Sequence, residues 1–508
     1  MTTTPTTAVT PARADPPEPA TDADADADAD ADAEIHETHT GVVVLLGAEA
    51  FKIKKPVVTD FLDFSTPERR EKVCAREVEL NRRMAPDSYL GVAHLDVPGR
   101  AVAEPIIVMR RYPDRQRLRA IVLCGEPAEP HLAALAGILA RFHAGAGRSD
   151  TIDACATVLQ TRKRWQENLA ELTRYTDSIL SRGTVDEVRR LSMRYLDGRA
   201  ELFAGRIRAR RIVDGHGDLS TDDVFCTADG PVPLDCLEFD DQLRFVDGVD
   251  DAAFLAMDLE FLGRRELAEY FLDCYLERAG DTPPRSLIDF YIAYRAVVRA
   301  KVDCIRVRQG RTGSAADARW HLDLAARHLR AANVRLVIVG GGPGTGKTTL
   351  SKALGQSSGA RVISTDDVRH ELQQAGAIGG QAGDLDVGLY APGNVTAVYE
   401  AVLRRASDLL SQGESVILDG TWRDPEQRVR ARRVAERTSA TFTEFACGTE
   451  LSTAQHRITQ RGPTTSDATP QLAEQLAGRA WPGAHTVDTG RPLAESVAEA
   501  QQICCLAI

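Results

Sequence analysis

Three groups of residues in this 508-residue chain have types and spacings suited to moving a phosphoryl group. The plainest is Gly341-Gly342-Pro343-Gly344-Thr345-Gly346-Lys347-Thr348-Thr349, which fits the phosphate-loop pattern G-x-x-x-x-G-K-T. Glycines free the backbone to turn successive N–H groups onto a phosphate. Lys347 adds a point charge for the β- and γ-phosphates, and Thr348 a hydroxyl for Mg²⁺. The apolar run Leu336–Val339 before it reads as a buried parallel strand, and the segment after it as a helix with its positive end on the phosphates. These residues predict a nucleoside triphosphate site.

The second group is His216-Gly217-Asp218, with Asp223 five positions on and Asp235 about a dozen further. This is the spacing of a kinase catalytic loop followed by a metal aspartate. Asp218 would orient the acceptor hydroxyl and take its proton, while Asp223 and Asp235 would offer oxygens to Mg²⁺. In the third group Asp366 and Arg369 stand in Arg361–Leu372, which reads as strand, cap and then helix, and Asp419 ends the apolar strand Val416–Leu418. Ligands of α/β sheets bind at such strand ends, so Asp419 is placed near Mg²⁺. Arg457 and Arg461, four apart on one helical face, open a polar stretch suited to a lid over a transferred phosphoryl.

The elements that must position these groups are legible in outline. Residues 1–36 are Thr/Pro/Ala-rich and then alternate Asp with Ala, so they read as a disordered acidic tail. Of the net charge of −12, residues 1–37 carry −9, which leaves −3 on the rest. That near-neutral body argues against a nucleic-acid partner. Gly41–Leu46 and Ala50–Lys54 read as a β-hairpin. Ser65-Thr66-Pro67-Glu68, with a capping hydroxyl and Pro in the first turn, opens a helix expected to run to about Met84, and Ile106–Met109 is a further strand. His131–His143 is amphipathic through Leu132, Leu135, Ile138, Leu139 and Phe142. Helical sequence fills 155–206 and 246–332, and no long linker separates it from Leu336, so the two parts are expected to pack.

No apolar run reaches membrane-spanning length and no secretion signal opens the chain, which points to the cytoplasm. The ten cysteines are scattered, without metal-ligand spacing, and read as reduced thiols. Cys504-Cys505-Leu-Ala-Ile508 formally matches a prenylation box but lacks a polybasic segment, and reads as the apolar tail of a terminal helix or strand.

From about residue 37 onward the chain resembles bacterial fusion proteins that join an aminoglycoside phosphotransferase-like kinase domain to a C-terminal AAA-type P-loop kinase domain. The resemblance rests on Phe51–Pro56, Phe61–Thr66, Leu80–Arg83, Asp235–Phe239 and Met257–Glu260 besides the motifs above. It implies an α+β, two-lobed protein-kinase-like domain over 37–333, followed by an α/β P-loop NTPase domain with a parallel sheet over 334–508. Lys52 would reach the α- and β-phosphates with Glu77 as its ion-pair partner, Lys54 being the alternative. Met109 would lie in the hinge that meets adenine. The chain departs from the family at Ser220, where a second His is usual, and at Asp223, where the metal ligand is usually Asn.

The second domain resembles polynucleotide kinases, gluconate kinases, chloramphenicol phosphotransferase and zeta toxins. That implies Asp366 as base, Arg369 on substrate or phosphate, and Arg457 and Arg461 as lid arginines. The reading is an ATP- and Mg²⁺-dependent phosphotransferase acting on a hydroxyl of a small molecule. The alternatives are an ATP-driven regulatory switch with a non-catalytic N-terminal module, or a nucleic-acid 5′-hydroxyl kinase. Specificity is expected in 155–210, 380–395 and 459–490.

Overall fold

The computed structural model describes residues 33–37, 41–58, 63–96, 102–381, 386–460, 469–476 and 481–506. The chain divides into two compact units. The first holds the described residues up to Arg82 together with Pro86–Tyr112; the second holds Arg83–Ala85 and everything from Pro113 onward.

The first unit is a five-stranded antiparallel sheet with one helix. Its strands are β1 (Glu34–Glu37), β2 (Gly41–Leu46), β3 (Glu49–Lys54), β4 (Tyr89–Leu95) and β5 (Glu104–Arg110), in the order β1-β2-β3-β5-β4. The expected hairpin is β2–β3. β1 begins at Glu34, inside the stretch expected to be tail, because Glu34–Glu37 pairs with β2 through its backbone and needs no apolar side chain. The helix Pro67–Asn81 starts as expected, with the Thr66 hydroxyl accepting from the Arg69 N–H and Pro in the first turn. It ends at Asn81, short of Met84.

The second unit contains both the helical region and the P-loop region, so the boundary expected at 333/334 falls inside one compact body. The helical region comprises Glu129–Gly145, Val158–Thr173, Arg182–Asp197, Ala200–Arg208, Gly248–Phe261, Arg265–Ala279, Arg285–Arg308 and Ser314–Ala331. Its centre is aromatic: Trp165 lies 5.3 Å from Phe290, and Phe290 stacks on Tyr195 at 4.4 Å. Two short ribbons frame the His216 segment, β6 (Ile212–Asp214) with β9 (Phe245–Asp247), and β7 (Val224–Thr227) with β8 (Gly230–Pro233).

The P-loop region is a five-stranded, all-parallel sheet. Its strands are β10 (Arg335–Gly340), β11 (Arg361–Ser364), β12 (Val416–Asp419), β13 (Thr441–Gly448) and β14 (His485–Asp488), ordered β11-β12-β10-β13-β14. The period-2 alternation of β10 explains why the two regions form one body. Leu336 and Ile338 join the apolar cluster that runs from Leu118 through the helical region to Ala440. Val337 and Val339 face a second cluster with Leu350, Phe445 and Val487. The helix Leu493–Leu506 carries Cys504 and Cys505 at its end, so the terminal cysteines sit on a helix; residues 507 and 508 lie outside the described residues.

Polar contacts close the same seam. The Ser286 hydroxyl donates to the Gly413 carbonyl at 2.7 Å, and the Asn333 amide to Thr441 Oγ1 at 2.8 Å. Gly198 packs against the Thr438 carbonyl so closely that a Cβ would stand 2.0 Å from its oxygen. Gly198→Ala is therefore expected to destabilise the chain by about 1–3 kcal/mol through overpacking. Gly205→Ala, one helix later with ordinary contacts around the added Cβ, should be neutral or stabilising by up to about 1 kcal/mol. Urea midpoints of the two variants check the contrast.

Candidate active sites

In the first unit Glu77, fully buried on the helix Pro67–Asn81, meets two lysines of β3. Lys52 Nζ lies 2.8 Å from Oε1 and Lys54 Nζ 2.6 Å from Oε2. Both candidate lysines thus bind the expected glutamate, because they are two apart and share one face of the strand. They differ in burial: Lys54 is 3% exposed and lies over the Phe64 ring, while Lys52 is partly exposed. Lys52 is the one with access to a phosphate. Met109 sits near the end of β5, opposite Ala50 and Tyr89.

In the second unit the His216–Asp223 loop is fixed from below by the helix Gly248–Phe261. Asp251 accepts the N–H groups of His216 at 2.7 Å and Gly217 at 2.8 Å, and Oδ2 also meets His143 Nε2 at 2.9 Å. The far nitrogen of His143 is held by the Tyr275 hydroxyl at 2.8 Å. Asp251 is held well below the usual carboxylate range because these bonds and the His143 ring outweigh the cost of burial, which is the largest single influence. About two turns on, Asp258 accepts from the Thr221 N–H and hydroxyl. Arg295, paired with Asp250, donates to the Gly217 carbonyl at 3.0 Å. Asp251 and Arg295 were not singled out by the sequence reading; Asp258 falls within Met257–Glu260 and His143 ends the stretch His131–His143, but neither was given a role, and only the fold brings the four under the loop.

Asp218, Asp223 and Asp235 are brought onto this platform. Asp218 and Asp223 are half-buried and Asp235 exposed. Asp235 has φ of +63°, a left-handed conformation that is costly for a residue with a Cβ and is stored here at a proposed metal position. Its neighbours are tied down, with the Leu234 N–H on the Asp223 carbonyl at 2.8 Å and the Leu237 N–H on the His216 carbonyl at 3.1 Å. Burial raises Asp218, against the pull of the Arg299 guanidinium. Asp223 is raised well above the ordinary value by burial first, then by the charges of Asp235 and Asp218. Ser220, the departure beside it, donates its hydroxyl to Asp223 Oδ2 at 2.6 Å. The two departures therefore form one pair.

Among the described residues no three His, Cys, Asp or Glu side chains close into a metal-binding group. Mg²⁺ needs no such cage, since it takes one or two carboxylates and completes its shell with water and phosphate oxygens. Asp223 and Asp235 fit that demand.

The P-loop residues converge with the third group on the C-terminal edge of the parallel sheet. The register places Val339 beside Asp419, and Ser364 beside Asp419 on the other flank. Gly344 has φ of +74°, and a Cβ there would stand 2.3 Å from the Ala454 carbonyl oxygen, so only glycine passes. Lys347 Nζ rests near the Gly342 carbonyl at 3.5 Å, within the loop. Thr345 donates to the same carbonyl at 2.9 Å. Asp419 is 2% exposed and its Oδ1 has no partner among the described residues. Burial raises it, while the Lys347 charge and the Thr348 hydroxyl draw it down. An orphaned carboxylate oxygen beside Lys347 and Thr348 is the donor set that a Mg²⁺-bound triphosphate would satisfy.

Ser364 caps the helix Thr365–Gln374 by accepting from the Asp366 and Asp367 N–H groups, so capping does not occupy the Asp366 carboxylate. It instead takes Arg369 Nη1 at 2.6 Å. Arg369 is 8% exposed and lies over the Tyr390 ring at 4.6 Å. Arg457, on the helix Leu451–Gln460, donates to the Thr489 carbonyl at 2.8 Å; Arg461 lies outside the described residues. Thr489, not foreseen, joins the site by donating its hydroxyl to the Thr345 carbonyl at 2.6 Å. Its signal was positional, a hydroxyl directly after the last strand of the sheet.

Residues 336–480 match the AAA domain family. The uncharacterized protein Rv2004c of Mycobacterium tuberculosis is 52% identical over 472 residues, 92% of this chain and 95% of that protein. Among solved structures, a choline/ethanolamine kinase family protein of Mesorhizobium loti aligns with 16% identity and a TM-score of 0.36, over 59% of this chain and 92% of that one. The adenosine phosphosulfate (APS) kinase CysC of Mycobacterium tuberculosis aligns with 17% identity and a TM-score of 0.26, over 34% and 97%. The parallel-sheet region, with its phosphate loop, has the P-loop fold. Among the described residues no helix is long and apolar enough to cross a membrane.

The raised Asp223 gives a signed pH test. A carboxyl that titrates higher when folded than when unfolded favours folding at low pH. That stability is lost as pH rises from about the unfolded value of 3.8 through the raised native value. Without metal, Asp223→Asn is expected to lessen the fall in urea midpoint over this window. Mg²⁺ should recover the loss in the wild type and change the variant less. Midpoints from pH 4 to 8, with and without Mg²⁺, check it.

Proposed function

Because the chain belongs to the family of the Mycobacterium tuberculosis protein Rv2004c and carries two kinase-type folds, we propose that it transfers the γ-phosphoryl of ATP to a hydroxyl of a small molecule. The observation that carries this reading is the edge where Lys347, Thr348 and the orphaned Asp419 stand beside the Asp366–Arg369 pair. The P-loop N–H groups and Lys347 would hold the phosphates. Thr348 and Asp419 would hold Mg²⁺, which when bound neutralises charge on the transferring group.

Asp366 is placed to orient the acceptor hydroxyl and receive its proton. Arg369, lying over the Tyr390 ring and bound to Asp366, would keep that carboxylate aimed. Arg457, beside the loop, would stabilise charge on the phosphoryl in flight.

The helical region by itself offers Asp218 as a further base with Asp223 and Asp235 as oxygens for Mg²⁺, and the first unit by itself offers the Lys52–Glu77 pair as a group for phosphates. The partner is a small hydroxyl compound, and the near-neutral charge of the chain beyond residue 37 speaks against nucleic acid.

Two variants of the full chain test the C-terminal assignment, each made with Asp218→Asn to silence the other site. Asp366→Asn should keep ATP affinity and lower phosphoryl transfer about 10²–10⁴-fold. Lys347→Ala should lose ATP binding and turnover together, since the loop then offers no side-chain charge to the phosphates. ADP release against a panel of hydroxyl metabolites, with nucleotide binding by calorimetry, reads both. Undiminished turnover in either variant would remove the assignment.

A further inference from the structure

Among the described residues, buried guanidinium groups follow a rule with one exception. Arg70 pairs with Glu104, Arg206 with Asp247 and Asp281, Arg244 with Asp214 and Asp241, Arg295 with Asp250, and Arg369 with Asp366. Arg199 is 1% exposed and has no carboxylate partner among the described residues. One of its nitrogens donates to the carbonyls of Gly198 at 2.7 Å and Thr438 at 2.8 Å, and its Nε finds no acceptor. Its nearest compensation is the Tyr195 ring, 5.5 Å away.

The surroundings add positive charge. Arg194 reaches only the Ser439 carbonyl, at 3.3 Å. Arg335 donates to the carbonyls of Asn333 and Arg330 and leaves its Nε unpartnered. Burial lowers all three arginines, Arg199 to about 10, yet that still leaves Arg199 protonated at neutral pH. A buried charge without a counterion is among the costlier features a fold can hold. Beside Arg194 and Arg199 lies a small cavity of about 10 Å³, lined also by Tyr195, Asn333, Ser439 and three aliphatic side chains. That is close to the space one water-sized particle needs.

We propose that this cavity, at the seam between the helical and P-loop regions, binds a monatomic anion of the chloride class as the missing counterion of Arg199. The site is distinct from both kinase sites. It lies by the N-terminal end of β10, whose other end enters the phosphate loop. The same arginines bind the Thr438 and Ser439 carbonyls of the P-loop region, so the anion strengthens the contact that holds the two regions as one body.

The test is thermal melting of the full chain in chloride and in gluconate at equal ionic strength, for the wild type and for Arg199→Met. Gluconate is too large for the cavity. The wild type is expected to melt a few degrees higher in chloride, and the variant to melt alike in both salts. Equal melting of the wild type in the two salts, or a chloride effect that survives in Arg199→Met, would overturn the proposal and assign the cavity to water. Should the variant fail to fold, wild-type crystals grown in bromide decide. An anomalous peak beside Arg199 upholds the site, and its absence from the seam refutes it.

Discussion

The helical half of this protein is organised by one carboxylate. Asp251 is fully buried and accepts two consecutive backbone N–H groups and one imidazole. A loop whose backbone is held at His216 and Gly217 has little freedom left at Asp218, and Asp258 and Arg295 remove most of the rest. The arrangement stabilises charge on Asp251 while its neighbours Asp218 and Asp223 are pushed the opposite way. Carboxylates a few residues apart on the structure thus hold protons of very different affinity, set by hydrogen-bond count and like charge rather than by residue type. That split is what a site needs when one acid must stay structural and others must exchange protons or metal.

The P-loop half reaches a comparable end by different means. Its positive groups are backbone N–H donors and one lysine, and its precision comes from space: at Gly344 no side chain fits against Ala454. Asp419 keeps a buried oxygen without a partner among the described residues, while Asp366 takes Arg369. In the helical half, by contrast, the acids crowd one another and Ser220 shares in relieving Asp223. The two sites should therefore respond differently to pH and to metal, even if they run the same reaction.

What was legible in the sequence follows the range of the forces involved. The β2–β3 hairpin, the Thr66-capped helix, β10 and the phosphate loop are determined by residues within a few positions of each other, and the sequence reading placed them. The ion pair of Glu77 with Lys52 is long-range, but resemblance located it, and the structure adds Lys54 as a second partner. β1 escaped because its pairing is carried by backbone groups in an acidic, apolar-poor stretch. Asp251, Asp258, His143 and Thr489 escaped because each acts through partners dozens of residues or more away, on ordinary-looking helices and a strand end. The boundary drawn at 333 marks where the phosphate-loop motif begins, and the apolar cluster continues across it: motifs mark where chemistry begins, not where packing stops.

Packing across that boundary changes how the chain must be regarded. Leu336 and Ile338 cannot be withdrawn from the helical cluster without exposing apolar surface on both sides, at roughly 25 cal/mol for each Å². Withdrawing them would also break the Ser286, Asn333, Arg194 and Arg199 bonds to the P-loop region, whose acceptors are mostly backbone carbonyls with few alternatives when buried. An interface of this kind resembles a continuous core more than a contact between domains that move independently. One strand, β10, thus carries the phosphate loop at one end and the seam at the other.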